Sequence, residues 1–160
     1  MKNREFIEYK YKHRKIVMLL ANKYFKGNKE ILEQVEYHDL DKLYMYLFYD
    51  KKIVSKIHRE NSNHHDNDLE KSYNDYVEMV LDWESARYTK PDKPLNAYDT
   101  LYKYYSDLSD KILPILKDIG IDKSNMPMEQ DVVLYAKDLE NVVFEDIEKE
   151  TNKYLHLLIK

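Results

Sequence analysis

Apolar side chains recur at steps of three and four through most of this chain. The clearest stripe is Phe6, Tyr9, His13, Ile16, Val17, Leu20 and Tyr24. A one-sided repeat of this kind predicts a helix over about residues 4–26, closed by Gly27-Asn28. A short helix follows over 29–36, and His38 to Tyr49 reads as another, with Leu40, Leu43, Tyr44, Leu47 and Phe48 apolar. His38 and Asp39 would then sit in its first turn, where the helix dipole favours a carboxylate. Ile53 to Arg59 predicts a helix that turns Ile53, Val54 and Ile57 inward, and the turn-forming run Asn61-Ser62-Asn63 ends it. Leu69 to Arg87 predicts the next, with Tyr73, Tyr76, Val77, Val80, Leu81 and Trp83 as its buried side.

Thr89-Lys90-Pro91-Asp92-Lys93-Pro94 breaks the pattern. Beyond it, Leu95 to Ile119 is tyrosine-rich and helical, with Pro114 a kink or boundary. Residues 120–127 read as a loop, and 128–160 as one long helix or two. The core candidates there are Val132, Val133, Tyr135, Ala136, Leu139, Val142, Val143, Phe144 and Ile147, with a strand over Val132–Tyr135 as the alternative.

Composition narrows this to an all-α chain, because 2 Gly and 4 Pro in 160 residues leave few hairpin turns or breaks. The length fits one domain, residues 1–160, with the chemistry in about 4–88 and further helices in about 95–160. With no cysteine, disulfides and thiolate ligands are excluded, so any metal must be held by His, Asp and Glu. The net charge of -4 argues against a broad nucleic-acid surface, though a local basic pocket for a phosphate is compatible with it. The N-terminus lacks the apolar run of a signal peptide, and no stretch of roughly 18 apolar residues spans a bilayer. A cytoplasmic protein off the membrane is expected, with homo-oligomers left open.

The residue types with chemistry gather in two places. His38-Asp39-Leu40-Asp41-Lys42 joins an imidazole to a carboxylate, and His58, His64 and His65 lie some twenty residues on. Nitrogen and carboxylate donors together suit divalent transition metals. His13 falls on the apolar stripe and so points inward, as a hydrogen-bonded core histidine or as a ligand. Asp82, beside Val80, Leu81 and Trp83, needs a partner if buried, and is otherwise a solvated helix residue. Lys42 is one helical turn beyond His38 and could meet a phosphate, or is an ordinary surface lysine. Spacing does not decide which of His64 and His65 turns inward. His156, far from the rest, reads as structural.

In order, His13, His38-Asp39 with Lys42, His58, His64-His65 and Asp82 resemble the HD-domain superfamily of metal-dependent phosphohydrolases over about residues 10–88. The run Glu78-Met79-Val80-Leu81-Asp82-Trp83 and the run Asn61-Ser62-Asn63-His64-His65 look like those of a small family of HD-like bacterial and phage proteins, which implies a fold but no substrate. The resemblance implies an HD-like helical bundle in which His13, His38, Asp39 and Asp82 bind one divalent ion. His58 with His64 or His65 would add a second, bridged by Asp39; Mn, Fe, Co, Ni, Mg and Zn all remain open. It further implies hydrolysis of a nucleotide or other small phosphate ester by metal-activated water. Lys42 would offset phosphate charge, and Asp41, Glu78 or the free member of His64 and His65 would carry protons. An inactive HD-like nucleotide-binding or protein-interaction module is the alternative, and a di-iron oxygenase a more distant one. Residues 95–160 match no motif of the superfamily.

Overall fold

A computed structural model of the chain describes residues 3–90 and 92–159, and the side chains of 154, 155 and 157–159 are outside that description. Met1, Lys2 and Pro91, all part of the readings above, lie outside the described residues. Among the described residues there is no strand, and the fold is all-α. The helices are α1 (Arg4–Tyr24), α2 (Lys29–Glu36), α3 (Leu40–Met45), α4 (Lys51–Asn61), α5 (Tyr73–Thr89), α6 (Ala97–Tyr104), α7 (Ser109–Ile119), α8 (Gln130–Leu139) and α9 (Phe144–Ile159). No described helix is long and apolar enough to cross a membrane.

Local chemistry sets the boundaries. Gly27 adopts φ +87° and Gly120 +80°, left-handed conformations that stop α1 and α7 at little cost for a residue without Cβ. Asn28 caps α2 through its side-chain oxygen on the Ile31 amide, and Asn96 caps α6 on the Asp99 amide. Ser72 and Asp75 form a reciprocal capping box at the start of α5. That box starts α5 at Tyr73 instead of Leu69. Pro114 lies inside α7 without breaking it; the carbonyl it leaves unbonded belongs to Asp110, which is exposed.

The centre of the bundle is α5, which packs against α1, α2, α6, α7 and α8, while α1 also meets α2, α8 and α9. Val77, Met79, Val80 and Leu81 are all buried, so α5 has no single buried stripe and is enclosed on most sides. Tyr73, expected inside, is 55% exposed because it opens the helix beyond the packed region. Ile16, Val17 and Leu20 of α1, Leu101 of α6, Ile112 and Leu116 of α7 and Val132 of α8 complete the core. Each such side chain contributes about 1.5–3 kcal/mol by leaving water.

Three further expectations are corrected. His38 and Asp39 precede α3 instead of opening a helix to Tyr49, and Asp39 stands at φ 54° in a left-handed turn. The helix dipole is therefore not what holds its carboxylate. In α4 the inward residues are Val54 and His58, one turn apart, while Ile53 and Ile57 face outward. That helix packs chiefly against α3, so it buries only a narrow seam, and the seam is centred on the histidine. The C-terminal part is two helices with no strand, and of its core candidates Val143 is exposed whereas Val132, Leu139 and Ile147 are buried. His156 is exposed.

Candidate metal centre

Five segments converge at one end of the α1–α5 pair. Helix α1 brings His13, the α2–α3 turn brings His38 and Asp39, α4 brings His58, the loop after it brings His64 and His65, and α5 brings Glu78 and Asp82. His13, His38, Asp39, His58, His64 and Glu78 are buried, and Asp82 and His65 are half-buried. So many polar groups leave water only if they satisfy one another or a bound ion.

Asp39 divides them into two groups. On its Oδ2 side, His13 Nε2 and Asp82 Oδ1 are 2.6 Å apart, His13 Nε2 and His38 Nε2 3.2 Å, and His38 Nε2 and Asp82 Oδ1 3.3 Å. Oδ2 itself is 3.5 Å from His38 Nε2 and 3.9 Å from His13 Nε2. On the other side, Oδ1 is 2.8 Å from His58 Nε2 and 3.1 Å from His64 Nε2, and those nitrogens are 3.2 Å apart. His65 offers a ring nitrogen to this second group. Donors bonded at about 2.1 Å to one ion stand about 3.0–3.4 Å from each other, by octahedral or tetrahedral geometry. These groups are thus close enough to hold a divalent metal ion, and they contain no sulfur.

One atom tests the fit. Asp39 Oδ1 is buried and receives no hydrogen bond, although two imidazole nitrogens lie near it. The nitrogens sit beside the oxygen without aiming a proton at it, as ligands of a common ion do.

The outer nitrogens of the histidines are held by partners that fix the rings. Ser85 Oγ donates to the Asp82 carbonyl at 2.8 Å, so at 3.1 Å it accepts from His13 Nδ1–H, which leaves Nε2 free to coordinate. Glu78 Oε2 takes His38 Nδ1 at 2.7 Å and His64 Nδ1 at 2.8 Å, while its Oε1 accepts from Gln34 at 2.9 Å. Asp41 Oδ2 is 2.7 Å from His58 Nδ1. Carboxylates on the far side of ligating imidazoles set the tautomer and raise ligand basicity.

Burial and charge set the protonation of the metal-free centre. Burial, helped by the neighbouring Lys10 ammonium, pushes His13 down to about 4. Burial also opposes a charged His64, but the Asp39 and Glu78 carboxylates outweigh it and raise the pKa to about 10. Against the desolvation that would raise them, Asp39 and Asp82 are held well below the carboxylate range by their histidines, and Asp39 by Lys10 as well. Burial brings Lys42 down to about 8 and His65 to about 3.

All seven proposed metal ligands therefore lie in the two groups, and both His64 and His65 contribute a donor. Asp41 and Glu78, expected as proton carriers, are engaged with histidine Nδ1 atoms. Lys42 is half-buried near the centre. Sequence reasoning missed Lys10, Arg14, Gln34 and Ser85. Lys10 bonds Asp39 Oδ2, and Arg14 clamps the His38 and Glu36 carbonyls, which fixes the left-handed turn. Their signal was present: Lys10 and Arg14 flank His13 on one face of α1, where burying charge needs a reason. No protein-family model, curated protein or solved structure matches this chain.

Proposed function

We propose that this protein is an HD-type metal-dependent phosphohydrolase acting on a nucleotide or another small phosphate ester. The observation that carries this reading is Asp39, whose two oxygens face two separate groups of nitrogen and carboxylate donors. His13, His38, Asp39 and Asp82 would hold one ion, and Asp39, His58, His64 and His65 a second. Divalent ions bound there would polarise a phosphoryl oxygen and lower the pKa of a water from about 15.7 toward 7.

The chain's own residues do the rest. Glu78, Asp41 and Ser85 keep the imidazole Nε2 atoms turned to the centre. Asp82 and His65, the more accessible donors, border the side from which a phosphate can approach. Lys42 would neutralise charge on that phosphate.

One contact favours a second reading. Lys10 places its ammonium on Asp39 Oδ2, which partly does the work of a cation in the first group. A protein that relies on this pair would bind a nucleotide in an HD-like fold without turning it over. The experiment is phosphate release from a nucleotide panel with Mn, Co, Ni and Mg, comparing wild type with Asp39→Ala. Release by wild type alone supports the hydrolase. Equal release by both places the activity elsewhere, and binding without release favours the second reading.

A further inference from the structure

The accessible side of the centre is bordered by Lys42 from α3 and by Lys90, the residue that closes α5. Both are half-buried. Among the described residues neither has a carboxylate at ion-pair distance, in contrast to Lys10 on Asp39 and Lys15 on Glu150. Partly desolvating an ammonium without a partner is costly, and here two lie close together. Lys42 experiences the charges of Lys10 and Lys90 as well as those of Asp39 and Asp82.

Tyr9 holds this arrangement in place. Its ring stacks on His13 with centroids 6.0 Å apart. The same ring carries Lys90 Nζ at 5.1 Å and Lys10 Nζ at 5.6 Å from its centre. Its hydroxyl is 3.5 Å from Thr89 Oγ1, next to Lys90. The Lys90 ammonium is thereby positioned relative to a proposed ligand, outside the ligand set itself.

We propose that Lys42 and Lys90 form an anion-binding position at the mouth of the metal centre that takes a second phosphoryl group, so that the ligand bears a diphosphate or triphosphate. This rests on reading the centre as a phosphohydrolase site. With an ion in each group, the two dications offset the carboxylates of Asp39, Asp41, Glu78 and Asp82, and Lys10, Lys42 and Lys90 remain uncompensated. Asp92 and Lys93, both near Lys90, cancel each other. A single phosphoryl group brings roughly two negative charges at neutral pH. That suffices for the ions but leaves the lysines without an anion, whereas a longer phosphate chain reaches both.

The test is calorimetric titration of the Mn-loaded protein with inorganic pyrophosphate and with orthophosphate, for wild type, Lys90→Gln and Lys42→Gln. Pyrophosphate should bind wild type at least about tenfold more tightly, as expected when charged hydrogen bonds are added. Each variant should lose about that factor for pyrophosphate while Mn stoichiometry stays at the wild-type value. Equal affinity of wild type for the two anions would overturn the proposal, as would pyrophosphate affinity unchanged in both variants. A pyrophosphate preference in a protein that releases no phosphate from nucleotides leaves the anion position standing and removes the hydrolase. Turnover without that preference does the reverse.

Discussion

Asp39→Asn removes one charge at the point where the two donor groups meet. Asparagine is the informative choice because Asp39 stands at φ 54° and ψ 17°, a left-handed conformation that Asn shares with little strain. The turn should survive while the chemistry changes. The Asp39 and Lys10 side chains are only 3% and 7% exposed, and removing one member of a buried pair costs about 3–5 kcal/mol because the other charge stays desolvated. Metal-free Asp39→Asn should lose that amount in denaturant unfolding. The double variant Lys10→Met/Asp39→Asn should recover most of it, since no charge is then stranded. For wild type, free Mn at about a thousand times its Kd adds about 4 kcal/mol, or a rise in Tm of about 8–16 °C for a chain of this size. Asp39→Asn should show only a small part of that rise. A variant that keeps all of it would refute Asp39 as the shared ligand, and a double variant no more stable than the single would refute the Lys10 pairing.

Three further outcomes are expected. Glu78→Gln should weaken metal affinity by about 10–100-fold, because His38 and His64 both lose the carboxylate on Nδ1; chelator competition reads this directly. His65→Ala should reduce metal bound per chain from two toward one with little change in metal-free stability, measured by elemental analysis. In the metal-free protein His64, raised to about 10, stabilises the fold below its unfolded pKa near 6.5, and that contribution is lost as pH rises toward 10. His13, lowered to about 4, acts oppositely: between about 6.5 and 4 only the unfolded chain takes up its proton, so stability falls with acid. The depressed carboxylates of Asp39 and Asp82 steepen that acid loss below about 4. Urea unfolding from pH 4 to 10 should therefore show a maximum near neutrality, and a flat profile would contradict these shifts.

The helices of the first half were legible because their stripes are one-sided, as in α1 and α2. Helix α5 was legible as a helix but not in its burial, since an element enclosed on most sides carries no periodic contrast. The α3 region misled for a different reason. Leu40, Leu43, Tyr44, Leu47 and Phe48 keep helical spacing, yet the chain turns at Asp39 and stops at Met45, and what fixes that turn is Arg14, distant in sequence. In the site, the donors were visible by residue type and order. Their partners were not, because serine, glutamine, lysine and arginine are ordinary on any surface, and only burial gives Ser85, Gln34, Lys10 and Arg14 a role.

These partners also bear on how such a site can fold before any ion arrives. Asp39, Glu78 and Asp82 come together in the bundle interior, and three uncompensated carboxylates there would oppose folding. The chain supplies cations of its own: Lys10 on Asp39, and a charged His64 between Asp39 and Glu78. Folding therefore does not wait for metal, in contrast to small domains that are unfolded without it. The same compensation sets the terms of metal binding. An ion entering the second group must take the Nε2 lone pair of His64, so the proton that helped the centre fold has to leave. Mn binding at pH 7 should then release protons, and its heat should change between buffers of different ionisation enthalpy. A heat independent of buffer would mean that His64 is neutral when metal arrives, and that the folded centre balances its carboxylates some other way.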